Sequence, residues 1–195
     1  MNKIFIVYYS RYGNTALMAE QISLGVDSNS DCEAVVRCLP EVSASTEQST
    51  ATIPDSGVPY AELSELEDCD GLILGSPGYF GNMASALKYF LDQTTPLWLS
   101  GALIDKPAAV FTSTSSHHGG QESVLLSMMQ PLLHHGMLIS GIPYSEKALN
   151  RTSTGGTPYG ASHVAGQKGK PLSQDEIDAC LTLGKRISWL TTRLI

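Results

Sequence analysis

The stretch Lys3-Ile4-Phe5-Ile6-Val7-Tyr8-Tyr9, followed at once by Ser10-Arg11-Tyr12-Gly13-Asn14-Thr15, decides the fold class. The first part is short, almost continuously apolar and rich in β-branched and aromatic residues, which is typical of a strand covered on both faces. The second part is a polar turn, and a helical pattern follows it over about residues 16–25. The start of the chain is therefore predicted to form a strand, a tight loop and a helix.

The same cycle recurs along the chain. Pro131 is expected to kink the helix that contains it or to end that helix a turn early. The alternation predicts an α/β fold, a doubly wound parallel sheet with its ligand site beyond the carboxyl ends of the strands. The further strands are predicted at Cys32–Cys38, Gly71–Gly75, Ala108–Thr112 and Met137–Ile142, and the further helices at about Met83–Asp92, Gln121–His135 and Ser173–Arg193.

Composition indicates one globular domain. The 195 residues are 42% hydrophobic and 16% charged, which excludes a disordered or fibrous chain. We expect a single domain over residues 1–195. Two stretches, at about residues 39–61 and 152–171, are rich in Ser, Thr, Pro or Gly and are predicted to be excursions from the core.

Charge and cysteine content favour a small ligand and a reducing compartment. The net charge of −7 opposes nucleic acid and anionic membranes as partners. No stretch approaches the roughly 20 apolar residues of a membrane-spanning helix, so no membrane insertion is expected. The four cysteines form no C-x-x-C pair, and a cytoplasmic location is the expectation.

The loop Ser10–Thr15 is suited to an anion. It opens a helix, where backbone N–H groups lack intrahelical acceptors and the helix dipole is positive. The chain has no G-x-x-x-x-G-K-[ST] and no G-x-G-x-x-G motif, which argues against a nucleoside triphosphatase and a Rossmann dinucleotide site. A phosphate site is one interpretation of this loop, and a simple helix cap by Asn14 or Thr15 is the other.

Two more loops of this kind follow the third and fourth predicted strands. Residues 75–83 and 113–122 combine glycines with hydroxyl groups, each ahead of a helix. Glycine lets the backbone approach a flat ligand, and Tyr79 and Phe80 offer ring contacts. Ordinary strand-to-helix turns use the same residue types, which is the alternative interpretation.

Longer motifs make the resemblance specific. The sequence is similar to the WrbA family of flavodoxin-like FMN-dependent NAD(P)H:quinone oxidoreductases over nearly its whole length. That resemblance implies a five-stranded sheet of order 2-1-3-4-5, bound FMN, NADH or NADPH as electron donor, two-electron ping-pong reduction of quinones, and a homotetramer. The motifs are Pro77–Met83, Leu91–Thr94, Leu97-Trp98 with Ser100–Leu103, Gly119–Glu122, His134–Met137 and Gly155–Ala161.

The resemblance also implies residue roles. No side chain is expected to be catalytic, because the hydride passes through N5 of the flavin. Tyr12 and Trp98 would line the substrate pocket, which neighbouring subunits would complete. The FMN-binding residues would be Ser10, Arg11, Tyr12, Gly13, Asn14 and Thr15 at the phosphate, Pro77, Gly78, Tyr79, Phe80, Gly81 and Asn82 in the second loop, Ser113, Thr114, Ser115, Ser116, His117, His118 and Gly119 in the third, and His134.

The sequence departs from the family pattern in two places, and it leaves two other functions open. Gly78-Tyr79 stand where the family often has Thr-Arg, and His117-His118 stand where it often has small residues. His134 and His135 neighbour one another without metal-ligand spacing, so no metal is expected. A flavodoxin-type one-electron carrier would share the fold and FMN, and a flavin-free interaction module would share only the fold.

Overall fold

The computed structural model describes residues 1–43, 54, 56–167 and 169–194. Within these residues, six strands form one sheet, and seven helices surround it. The strands are β1 (Asn2–Tyr8), β2 (Cys32–Cys38), β3 (Gly71–Pro77), β4 (Pro107–Thr114), β5 (Leu138–Ile139) and β6 (Ala161–Val164). The helices are α1 (Asn14–Asp27), α2 (Leu63–Glu67), α3 (Ser85–Asp92), α4 (Thr95–Ser100), α5 (Gln121–His134), α6 (Ala148–Arg151) and α7 (Gln174–Leu194).

The sheet is parallel and its order is β2-β1-β3-β4-β5, as predicted. β1 lies between β2 and β3, with Ile4 opposite Gly71 of β3 and Tyr8 opposite Cys38 of β2. The order reverses direction between β1 and β3, so the loops after these two strands diverge and leave a crevice at their carboxyl ends.

The fifth position of the sheet is shared by two short strands, which corrects the predicted strand Met137–Ile142. β5 pairs with Pro107 and Ala108 at the start of β4, and the chain then leaves the sheet. β6 returns to pair with the second half of β4, from Phe111 to Thr114. Residues 161–164, which were predicted to lie in an excursion from the core, are therefore part of the sheet. Gly141 and Gly160 permit the crossing, since a Cβ at either would overlap a backbone oxygen, of Pro158 or Val110 respectively.

Side chains alternate along the central strands and fill two cores, one on each face of the sheet. Phe5 and Val7 belong to the core that α2, α3, α4 and α5 cover. Ile4 and Ile6 belong to the core that α1 and α7 cover. The predicted helices on both faces are therefore confirmed.

The remaining differences are local. α5 continues for three residues beyond Pro131 and ends at His134, so the proline does not end the helix early. A proline in the last turn removes only one internal hydrogen bond. The short helices α2, α4 and α6 were not predicted. Of the predicted excursion at 39–61, residues 44–53 and 55 lie outside the described part of the chain. No described helix combines the length and apolar character needed to cross a bilayer.

Candidate functional site

The loops after β1, β3 and β4 meet at one end of the sheet and surround a cavity of about 280 Å³. The cavity lies where the strand order reverses, which is the position expected for a ligand in this kind of sheet. A fourth segment, which follows β6, closes it. The lining residues are Ser10, Arg11, Tyr12, Asn14, Thr15, Pro77, Gly78, Tyr79, Ser113, Thr114, Ser115, Ala165, Gly166 and Gln167.

The first loop presents the start of α1 to this cavity. Gly13 is the N-cap, with a φ of 85°, and no side chain caps the helix. The interpretation of Asn14 or Thr15 as a simple helix cap is therefore wrong. Ser10 Oγ accepts a hydrogen bond from the Ala16 amide at 3.3 Å, while the amides of Asn14 and Thr15 have no acceptor in the described part of the chain. Free amides and hydroxyls at a helix start suit an anion.

The second loop contains a tight turn from Tyr79 to Asn82. The amide of each donates to the carbonyl oxygen of the other at 2.9 Å. Phe80 and Gly81 form the tip with φ values of 51° and 76°, and the left-handed region is unfavourable for a phenylalanine. The Phe80 ring is fully exposed, at 108%. The turn thus displays an aromatic ring to solvent beside the cavity rather than in its wall.

Gly78 keeps the wall of the cavity close to the third loop. A Cβ at this position would lie 3.0 Å from Thr114 Cγ2 and 3.1 Å from Val124 Cγ2. Its amide donates to the Ser113 carbonyl oxygen at 2.9 Å, which joins the second loop to the third. Glycine at this position therefore lets the second loop pack closely against the third loop and α5.

The third loop is fixed by a buried polar network. Gln121 Nε2 donates to Thr114 Oγ1 at 3.0 Å, and Thr114 Oγ1 in turn donates to the Ser116 carbonyl oxygen at 2.9 Å. Ser113, Thr114 and Ser115, which the resemblance assigns to cofactor binding, line the cavity. The other residues predicted to bind cofactor are absent from the lining: Gly13, Phe80, Gly81, Asn82, Ser116, His117, His118 and Gly119 belong to the three loops, whereas His134 ends α5, away from the cavity.

The sequence analysis missed the segment after β6. Ala165, Gly166 and Gln167 line the cavity, because the Ala165 amide donates to the Thr114 carbonyl oxygen at 2.8 Å and continues the pairing of β6 with β4. The sequence contains one weak signal for this segment. The short run Ala161–Val164 is followed by Ala165-Gly166, and a strand followed by a turn is also the pattern at the start of the chain.

Among the described residues that line the cavity, Arg11 is the one that carries a charge. Its guanidinium carbon lies 5.5 Å from the centre of the Tyr12 ring. The pKa of Arg11 is raised, first by a side-chain hydrogen bond with Tyr79 and then by the proximity of Tyr12, Tyr79 and Glu41. The cavity therefore has a positive charge at its edge, and its described lining residues include no carboxylate.

Trp98 and His134 form a separate group on α4 and α5, outside the cavity lining. Trp98 Nε1 donates to the His134 carbonyl oxygen at 2.9 Å, and the indole remains 52% exposed. The buried neighbour His135 lies 2.8 Å from Thr94 Oγ1 through Nε2. Burial and the proximity of His134 lower the pKa of His135. Among the residues that the structure describes, no group of three or more His, Cys, Asp or Glu side chains is placed to hold a metal ion.

Comparison with solved structures supports the fold. The WrbA-like flavodoxin from Agrobacterium tumefaciens superimposes with a TM-score of 0.69, at 20% identity and over 100% of both chains. An archaeal flavodoxin superimposes with a TM-score of 0.63, at 20% identity, covering 97% of this chain and 99% of its own. At these identities the likeness establishes a flavodoxin-like fold.

Comparison of sequences establishes the family. The chain is 42% identical to the NAD(P)H dehydrogenase (quinone) of Solidesulfovibrio magneticus over 202 residues, covering 98% of each chain. It is 40% identical to the protein of the same name from Trichlorobacter lovleyi, covering 100% of this chain and 99% of that one. The predicted resemblance is thereby confirmed. Since the family model for NADPH-dependent FMN reductase also matches residues 12–147, the chain belongs to that family.

Proposed function

We propose that this chain is an FMN-dependent NAD(P)H:quinone oxidoreductase that reduces quinones to hydroquinones by two electrons in a ping-pong cycle. Its family makes it a flavin-dependent oxidoreductase with NAD(P)H as the electron donor. The observation that carries the proposal is the cavity where the strand order reverses, lined by free amides, hydroxyls and one cation. Quinone is proposed as the substrate because both relatives are named NAD(P)H dehydrogenase (quinone).

The residues present fit FMN. The start of α1 offers the amides of Asn14 and Thr15 and the hydroxyl of Ser10 to a phosphate. Gly78 lets the second loop lie against the third, since a Cβ there would crowd Thr114 and Val124, and the backbone of both loops thus reaches the cavity where a flat ring would lie. A carboxylate would repel both the phosphate and a reduced, electron-rich ring, and none is found among the lining residues that the structure describes. The charge and shape of the site thus favour this cofactor.

The protein's contribution to the chemistry is position and electrostatics. FMN, when bound, supplies the acceptor for hydride at N5. Backbone N–H groups of the third loop would stabilise negative charge at the pyrimidine edge of the ring. The second loop and Tyr12 would leave one face of the ring open, so donor and quinone would use the same face in turn. A shared face requires that the oxidised donor leave before the quinone binds.

The quaternary structure and location are also part of the proposal. Within one chain, Trp98 lies outside the cavity lining and contacts His134 instead. Trp98 would therefore line a substrate site only if a homotetramer placed it beside a neighbour's cavity. A reducing, cytoplasmic location would suit the four cysteines, which are all free thiols. Burial raises the pKa of the Cys69 thiol to about 12, so this group stays protonated and unreactive.

The test is anaerobic rapid mixing of FMN-loaded protein with NADH or NADPH, followed by benzoquinone. The flavin absorbance should bleach completely and return when quinone is added, and initial rates at several donor concentrations should give parallel double-reciprocal lines. Flavin that the donor cannot bleach, combined with one-electron reduction under light, would instead identify a flavodoxin-type carrier. Failure to bind FMN would support an interaction module.

Two tryptophans provide a matched test of the quinone site. Trp98 and Trp189 are 52% and 51% exposed, but Trp189 lies on α7 under the Arg193 guanidinium. Trp98→Ala is expected to raise the KM for benzoquinone about tenfold, as the loss of one aromatic stacking contact would. Trp189→Ala should leave that KM unchanged. Equal effects of the two substitutions would show that Trp98 has no role in the substrate pocket.

A further inference from the structure

A fully buried pair, His163 of β6 and Glu176 of α7, lies behind the cavity and is not part of its lining. His163 Nδ1 lies 3.0 Å from Glu176 Oε2. The carboxylate also accepts hydrogen bonds from the amides of Gly155 at 2.9 Å, Val164 at 3.1 Å and Ser173 at 2.8 Å. One side chain therefore joins three separate backbone segments to α7.

Both nitrogens of His163 face acceptors. Nδ1 faces the carboxylate, and Nε2 lies 3.1 Å from the carbonyl oxygen of Lys170. A neutral imidazole has only one N–H, so it would leave one nitrogen lone pair against an oxygen. The geometry is satisfied when both nitrogens donate, which makes the pair an imidazolium bound to a carboxylate. The other titratable group close to this carboxylate is Cys180, one turn further along α7.

The pair closes the segment that forms the fourth wall of the cavity. The Lys170 amide donates to the Ala165 carbonyl oxygen at 2.6 Å, while the Lys170 carbonyl oxygen accepts from His163. The loop between these contacts carries Gly166 and Gln167, which line the cavity. It also approaches the first loop, since a Cβ at Gly169 would lie 3.8 Å from Asn14 Oδ1. The position of this wall relative to the start of α1 thus depends on two buried side chains.

We propose that His163 and Glu176 are positioning residues that hold the Ala165–Gln167 wall against the phosphate end of the cofactor cavity. This inference rests on the proposed function in one respect, the identity of the cofactor as FMN. Neither residue touches the cofactor. Their effect is to fix the backbone of the wall, so that the cavity discriminates between a flavin with a phosphate and one without.

The test compares the affinities of the full-length apoprotein for FMN and riboflavin by titration of flavin fluorescence. His163→Gln can place an amide N–H near the position of Nε2, towards Lys170, but it has no donor at the position of Nδ1 and loses the hydrogen bond to Glu176. We expect the Kd for FMN to rise about tenfold, the equivalent of losing one charge-assisted hydrogen bond, and the Kd for riboflavin to change less than about twofold. General destabilisation of the fold would weaken both ligands alike, so the ratio of the two affinities separates the explanations.

Asp175→Asn is the matched control. Asp175 precedes Glu176 on α7 but is partly exposed and pairs with Arg151 at 2.8 Å. It should leave both affinities unchanged. An unchanged FMN to riboflavin ratio in His163→Gln would overturn the inference, whereas a wild-type protein that binds no FMN would overturn the proposed function instead.

A second measurement needs no substitution. NMR of the ¹⁵N-labelled wild-type apoprotein should show that both ring nitrogens of His163 carry protons, which exchange slowly because the ring is buried. A ring nitrogen without a proton would contradict the arrangement, since His163 would then lack a hydrogen bond to one of its two acceptors. This result is independent of flavin binding.

Discussion

The carboxyl group of Glu176 has a pKa well below its usual value. Burial alone raises its pKa, but the hydrogen bonds from His163 and from the amides of Ser173, Val164 and Gly155 outweigh burial and lower the pKa from 4.5 to about 2. A folded-state pKa below the unfolded value means that the ionised group stabilises the fold above about pH 4.5. That stabilisation is lost as the pH falls towards 2.

Glu176→Gln should therefore destabilise the protein in a pH-dependent way. The lowered pKa corresponds to a contribution of about 3 kcal/mol at pH 7, similar to the cost of breaking a buried ion pair. Urea unfolding of both proteins from pH 7 to pH 3 would measure the gap between their free energies of unfolding. The gap should be largest at pH 7 and shrink below about pH 5. A gap that stays constant with pH would contradict the assignment of the charge to Glu176.

The charge of Arg11 favours binding of an anionic electron donor. Arg11 is the one charged residue in the described part of the cavity lining, in a chain whose net charge of −7 repels an anionic donor. Arg11→Gln should raise the KM for NAD(P)H several-fold, with kcat little changed, because a positive charge near the entrance acts on donor binding. Arg193→Gln removes the cation that stacks on Trp189 and is the control. If both variants kept the wild-type KM, Arg11 would have no role in donor binding.

At the scale of elements, the crossing of α1 and α7 depends on two glycines. A Cβ at Gly25 would overlap the Leu181 carbonyl oxygen, and a Cβ at Gly184 would overlap that of Ile22. Both contacts are with backbone, which cannot rotate away. Gly25→Ala should therefore separate the helices and lower the free energy of unfolding by about 2–3 kcal/mol, although alanine is the better helix former.

Ser23→Ala in the same helix is the control and should have little effect on the free energy of unfolding. Chemical denaturation of both variants measures the difference, and a stabilised Gly25→Ala protein would show that helix propensity outweighs the close contact.

The sequence predicts those helices and strands whose pattern of apolar residues lies within a short stretch of the chain. β1, β3 and β4 are buried on both faces, so continuous apolar runs mark them. The division of the fifth position between β5 and β6 depends on how each pairs with β4, which no local pattern contains. α6 has only four residues, too few to show a helical period.

The same distinction holds for the site. The loop Ser10–Thr15 could be predicted because a strand, a polar turn and a helix follow one another in the sequence. The wall Ala165–Gln167 could not, because it reaches the cavity only through pairing with Thr114, some fifty residues earlier. His163 and Glu176 were missed for a related reason. Apart from each other, their partners are backbone groups, such as the Gly155 amide that donates to Glu176 and the Lys170 carbonyl oxygen beside His163, and backbone groups have no signature in the sequence.

At the scale of the whole molecule, one exposed apolar surface stands apart from the cavity. It consists of Trp98, Leu99, Ile104 and Leu133, all more than half exposed. α4 and the end of α5 meet there, since Trp98 donates to His134 and the Asp105 amide donates to the Gly136 carbonyl oxygen at 3.0 Å. Contiguous apolar surfaces of this kind are typical of subunit interfaces. The proposed homotetramer would bury this surface.

Substitution of this surface should separate assembly from cofactor binding. Leu99→Glu combined with Leu133→Glu places charges in the proposed interface, and the desolvation of two carboxylates should reduce the tetramer to smaller species. Light scattering after size exclusion gives the mass, and flavin titration gives the FMN affinity, which should remain close to wild type because the cavity lies within one chain. Quinone turnover should fall with the tetramer, since Trp98 would no longer reach a neighbour's site.

Leu24→Glu, on an exposed position of α1, is the control and should remain assembled. A double variant that stays tetrameric would place the interface elsewhere, and a monomer with full quinone turnover would show that one chain completes its own substrate site.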